Sequence, residues 1–152
     1  MKKVVLILLL SYMLTNANSQ LVKNEISKEI SIGVEKRGFM KFAELTYIAH
    51  SEPTDTLYHL YYKDENFKQI NEWKSMFFKG GSSTINDFYD ALKEAIAADK
   101  GKETSLTLSE NKIFIITSRL LGKYLSISIT DKTGINGLMT LTKGQIDDLF
   151  GK

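Results

Sequence analysis

Few residues in this chain have types and spacing that suggest chemistry. Its two histidines, His50 and His59, stand nine residues apart. His50 opens the stretch His50-Ser51-Glu52, which holds the residue types of a Ser-His-acid hydrolase. Neighbours in sequence do not make a triad, however, which lines up three groups brought together by the fold. His59 lies between Tyr58 and Leu60 and reads as a half-exposed sheet residue. Zinc needs three or four ligands at recognisable spacing. With two His and no Cys, neither a metal nor a cofactor is expected, and no residue is assigned to catalysis. The acidic pairs Asp64-Glu65 and Asp147-Asp148 do not have the cross-cleft separation that glycoside hydrolysis requires. They read as turn chemistry and helix-end charge. Gly80-Gly81-Ser82-Ser83-Thr84 leads into a helix, where backbone amides can hold an anion. It lacks the Gly-x-x-x-x-Gly-Lys-Ser/Thr pattern, and Asp87 already supplies a negative charge there.

The aromatic cluster Tyr58, Tyr61, Tyr62, Phe67, Trp73, Phe77 and Phe78 stands out more. On a sheet surface such rings stack sugars, bases or a partner's side chains. Inside, they fill a core. Strand alternation allows both, with one parity inward and the other outward. If Trp73 and Phe77 are the core pair, Tyr58, Tyr62 and Phe78 are the exposed set; with either parity open to a partner, Tyr58, Tyr62, Trp73 and Phe78 are the candidate binding residues.

The first twenty residues bound where the protein works. Lys2-Lys3, the apolar run Val4 to Leu14 and the small polar stretch Thr15 to Gln20 have the order of a secretory signal peptide. Val4 to Leu14 is eleven residues, too few for a membrane span, which needs roughly 20 apolar ones. Ala17-Asn18-Ser19 places the cut before Gln20, giving a signal peptide over 1–19 and a single domain over 20–152. The protein is therefore expected to be exported, to a periplasm or beyond the cell. The Lys-, Asn- and Ile-rich composition suits a bacterial product. Without cysteine, the exported domain relies on packing alone. Residues 20–152 carry 18 basic and 18 acidic side chains, which disfavours nucleic acid as a partner. An envelope protein, a glycan or a second copy in a homodimer are the partners in view.

The elements that must position these residues follow from periodicity. Alternation predicts strands over 29–35, 39–49, 56–62 and 70–78, then over 105–108, 112–120, 124–130 and 137–141. Ile30, Ile32 and Val34 are expected on one face of the first strand. Ile85, Phe88, Leu92, Ala95 and Ile96 form a helical stripe over 85–100, with Thr84 and Asp87 as its cap and Gly101 as its stop. A second helix over 143–150 opens on a Thr142/Gln145 capping box, and Gly151 ends it. The fold class is α+β, antiparallel, in the order β4-α-β4-α. Phe88, Leu92 and Ile96 should meet Leu45, Trp73, Ile115 and Ile127 in the core.

This element order, carried by strand blocks 39–78 and 105–141 with helices after each, resembles the β-β-β-β-α unit of Whirly-type, PUR-type and PC4-type single-strand nucleic-acid binders. The resemblance implies a fold and places no site residue. Three functional readings follow: a non-enzymatic exported binding protein, an exported hydrolase centred on His50 or His59, and a single-strand nucleic-acid binder.

Overall fold

A computed structural model describes residues 28–48, 56–66, 71–119 and 122–152. The leader, the cut before Gln20, His50, the 51–55 loop and Phe67 lie outside the described residues. Strands β1 (Glu29–Arg37), β2 (Met40–Ile48), β3 (Thr56–Lys63) and β4 (Trp73–Gly80) form one antiparallel sheet in sequence order, and helix α1 (Ser82–Ala97) follows. Strands β5 (Glu103–Leu108), β6 (Asn111–Arg119), β7 (Lys123–Thr130) and β8 (Asn136–Thr142) form the second sheet, and helix α2 (Lys143–Leu149) closes the chain. The expected α+β order is present, and each half forms its own sheet, a point that the order alone leaves open.

Alternation explains the second sheet. Leu125, Ile127 and Ile129 of β7 are buried, with Ser126 and Ser128 on the other face. Opposite them, Ile113 and Ile115 of β6 are buried, and Phe114 is turned out. The inner faces of both sheets and the apolar stripes of both helices share one core, in which Phe88, Leu92 and Ile96 meet Leu45, Ile115 and Ile127. The Phe88 ring stands edge-on to Phe78 at 6.0 Å and to Phe150 at 5.5 Å.

Trp73 is not in that core, and the expected parity of the aromatic strands is reversed. β2 pairs with β3 in a register that sets Leu45 opposite Leu60 and Ala43 opposite Tyr62. Leu60 in turn faces Met76, and Tyr58 faces Phe78. Burying Leu60 and Met76 takes Tyr58, Tyr62 and Phe78 inward, each at most 5% exposed. Period two then sends Trp73, Ser75 and Phe77 outward.

Three local expectations also give way. In β1 the register shifts between Ser31 and Gly33, so Ile30 is exposed and Glu35 is buried instead. α1 begins after Gly81 with no side-chain cap, because the Thr84 side chain packs against Gly80. Its end is Ala98, whose N–H reaches the carbonyls of Glu94 and Ala95, while Gly101 at φ +82° turns the chain into β5. The second helix follows expectation. Its Thr142/Gln145 capping box forms, and Gly151 sits at φ +63° after it.

Gly33 lets α2 lie directly on β1. A Cβ there would sit 2.3 Å from the Asp148 carbonyl oxygen and 2.5 Å from that of Leu149. Gly33→Ala is expected to destabilise the protein by about 1–3 kcal/mol through this overpacking. Urea denaturation should show the loss, and hydrogen exchange should show faster amides in α2. Unchanged exchange there would contradict this docking.

The two halves join through polar contacts at sheet edges. The turn after β3 reaches β8: the Glu65 N–H donates to the Leu138 carbonyl at 2.8 Å, and the Leu138 N–H donates to Asp64 Oδ1 at 2.9 Å. The turn between β5 and β6 reaches β4: Asn111 Nδ2 donates to the Phe77 carbonyl at 2.7 Å, and the Lys79 N–H donates to Ser109 Oγ at 2.9 Å.

Candidate binding surface

The outward face of the first sheet carries two stacked ring pairs. Tyr61 and Trp73 lie 4.7 Å apart at 10°, and His59 and Phe77 lie 4.1 Å apart at 12°. His59 faces Phe77 directly across the strands. Its Nδ1 is 3.2 Å from Glu29 Oε1, and its Nε2 is buried with no hydrogen-bond partner. The ring is thus a half-buried support for Phe77, which remains 48% exposed.

Beside Phe77 a groove of about 620 Å³ runs along β4. Leu57, Ser75 and Phe77 line one side; Glu110, Asn111 and Lys132 line the other. β4 is an edge strand, and alternate residues of an antiparallel strand direct both backbone groups to the same side. Because the Phe77 carbonyl points outward to Asn111, the N–H groups of Phe77 and Ser75 and the Ser75 carbonyl point outward too. Among the described residues these three groups have no partner. Asn111, itself buried, is fixed by a second bond to the Leu108 carbonyl, so one end of the groove is rigid. Ser109 accepts a left-handed φ of +54° where its hydroxyl meets Lys79.

Asp131, Lys79, Glu110 and Lys132 balance the charge around the groove. The Thr133 hydroxyl, followed by backbone N–H groups of Ile135 and Thr133, holds the Asp131 carboxyl below its ordinary range and fixes that loop. Lys132 and Glu110 are 3.8 Å apart and both well exposed, a pair of little energetic weight.

A second polar cluster ties β1, the turn after β3, β8 and α2 together. Arg37 donates from Nε to Glu35 at 3.2 Å, from Nη1 to Glu65 at 2.8 Å and from Nη2 to the Thr140 carbonyl at 2.6 Å. Gln145 Nε2 donates to Glu35 Oε1 at 2.6 Å. Burial pushes the Glu35 carboxyl above its ordinary value, against the pull of Arg37. A raised native value means that Glu35 favours the fold below its unfolded value and loses that contribution as pH rises through the native one. The Arg37 donors are committed to this clamp, which therefore serves the fold.

Of the four candidate binding residues, only Trp73 lies on this outer surface. Tyr58 and Phe78 stack at 5.2 Å inside the core, where the Tyr58 hydroxyl donates to the Gly81 carbonyl at 3.2 Å. Burial pushes the Tyr62 phenol up, and the Asp64 charge adds to it. Phe77, Ser75 and Asn111 were missed as site residues. The signal for the first two was available, because Ser75 and Lys79 share parity with Phe77 and mark a wet face. The acidic pairs also have structural partners. Asp64 and Glu65 dock on β8, while Asp147 accepts from the Tyr89 hydroxyl at 2.8 Å and pairs with Lys93 at 2.6 Å, tying α1 to α2. Compared with protein-family models, curated proteins and solved structures, the chain matches none.

Proposed function

We propose that this chain is an exported, non-enzymatic binding protein that takes an extended peptide segment along the edge of β4. The open backbone groups of Ser75 and Phe77, set in a groove with apolar footing at Leu57 and Phe77, carry this reading. Addition of a strand to a sheet edge draws affinity from main-chain bonds and specificity from side-chain pockets along the groove. Exposed edges are otherwise blunted or covered, because they template unwanted pairing. The export half of the reading rests on Lys2-Lys3 and the apolar run after them. The charge balance of residues 20–152 gives a nucleic-acid ligand no comparable support.

Ser75→Pro tests the reading. Proline is tolerated on an edge strand when the lost N–H faces away from the neighbouring strand, so the fold should survive. Panning of a random-peptide display library on the full chain is expected to select sequences of alternating polarity. Their binding should fall at least about tenfold in the Ser75→Pro variant, the scale of one or two lost hydrogen bonds. Failure to select any peptide, or equal binding to a folded variant, would refute strand addition at β4.

A further inference from the structure

The β1–β2 hairpin breaks two local rules at its tip. Gly38 and Phe39 form a two-residue turn between the paired residues Arg37 and Met40. Gly38 sits at φ +64° and Phe39 is not in the left-handed region, the sign pattern of a type II′ turn with glycine first. Polar residues dominate turns for good reasons, yet Phe39 and Met40 follow the glycine. Phe39 is 108% exposed and Met40 66% exposed, the two highest exposures among the large apolar side chains of the described residues. Immediately behind them, Lys36 and Lys41 are cross-strand partners. Like charges directly opposite one another are unfavourable in a sheet. Lys41 is partly compensated by Glu44 at 2.7 Å, and Arg37 by Glu35 and Glu65. All three acids lie further from the tip in the chain or on another turn.

We propose that this tip is an anchor for an anionic lipid surface: Phe39 and Met40 enter the acyl boundary, and Lys36 and Lys41 meet the headgroups. An apolar pair projecting beyond a basic pair has the polarity order of a bilayer surface, apolar within and anionic at the rim. A tight glycine turn holds the two apolar side chains ready, so little ordering accompanies insertion. No helix among the described residues is long and apolar enough to cross a membrane, and the contact is interfacial. β1 and β4 are opposite edges of their sheet, so an anchored tip leaves the β4 groove open. The anchor stands independently of the peptide reading.

The test is a Phe39→Trp variant of the full chain, with the unaltered chain subtracted to remove the signal of Trp73. In vesicles of phosphatidylcholine with phosphatidylglycerol, the introduced indole is expected to shift to the blue and to be quenched by brominated acyl chains. Adding Lys36→Glu and Lys41→Glu should weaken this insertion at least about 30-fold, by the usual attraction per basic residue at an anionic surface. Because the probe reports residue 39 itself, binding through any other segment does not imitate the result. An indole that stays open to aqueous iodide in the presence of vesicles would overturn the anchor. Insertion unchanged by the two glutamates, or equal in vesicles of phosphatidylcholine alone, would overturn the anionic assignment.

Discussion

Asp64→Ala is expected to lower the unfolding free energy by about 3–5 kcal/mol, the usual cost of removing one partner from a buried ion pair. The Asp64 side chain is fully buried, with Lys74 Nζ 2.7 Å from its Oδ2. Its Oδ1 accepts from the N–H of Asn66 at 3.0 Å and of Leu138 at 2.9 Å. Alanine would strand two amides, one of them on the edge of β8, and take from the Lys74 ammonium its buried counter-ion, leaving it the Asn136 carbonyl and, at 3.8 Å, Glu72. The two halves of the protein would lose a main link between their sheets. The effect also has a pH signature. Burial alone raises the Asp64 carboxyl, but Lys74 and the two amides together hold it below its ordinary value of 3.8. A depressed native value means that the contribution is complete above the unfolded value and is lost as pH falls through the native one. Urea denaturation over a range of acid pH should show the wild-type stability falling in that window. The variant should start lower and fall less. A loss under about 1 kcal/mol, or an unchanged acid limb, would refute the assigned link.

The sequence showed some of these features and hid others for physical reasons. The stripe Phe88, Leu92, Ile96 and the Thr142/Gln145 box are local patterns, and both helices form where they indicate. Strand positions were also legible, because period two survives in any single strand. Which parity faces inward is not local. It is fixed by pairing, and the Leu45–Leu60–Met76 row decided it against the larger Trp73. The same limit hid Asp64 and Glu65, which read as an ordinary polar turn. The β8 amides they hold, those of Leu138 and Thr140, lie more than 70 residues away. Buried Glu35 was hidden by a bulge that moves the register of β1. The candidate groove at β4 depends on Asn111 and Ser109 reaching over from the other half, and no spacing within either half announces it. An element order of β4-α-β4-α is a fold statement, and a site comes from the edges and loops that the order leaves exposed.

Leu92→Ala is expected to cost about 2–5 kcal/mol, near the upper part of that range if the surrounding core cannot collapse. Leu92 is fully buried on α1, a helix that contacts β4, β6, β7 and α2. Sheets on two sides and a helix on a third leave little room for relaxation, so the removed side chain should leave a cavity. α1 packs against strands of both sheets, whereas Asp64 joins the halves only at an edge. The two losses should therefore add when combined, within about 0.5 kcal/mol, if the sites are independent. Glu94→Ala, on the exposed face of the same helix, should stay within about 0.5 kcal/mol of the parent. Thermal unfolding should show a Tm lower by roughly 10 °C for the leucine variant and almost no change for the glutamate variant. Equal small shifts in both would mean that α1 rests on the sheets without holding them together.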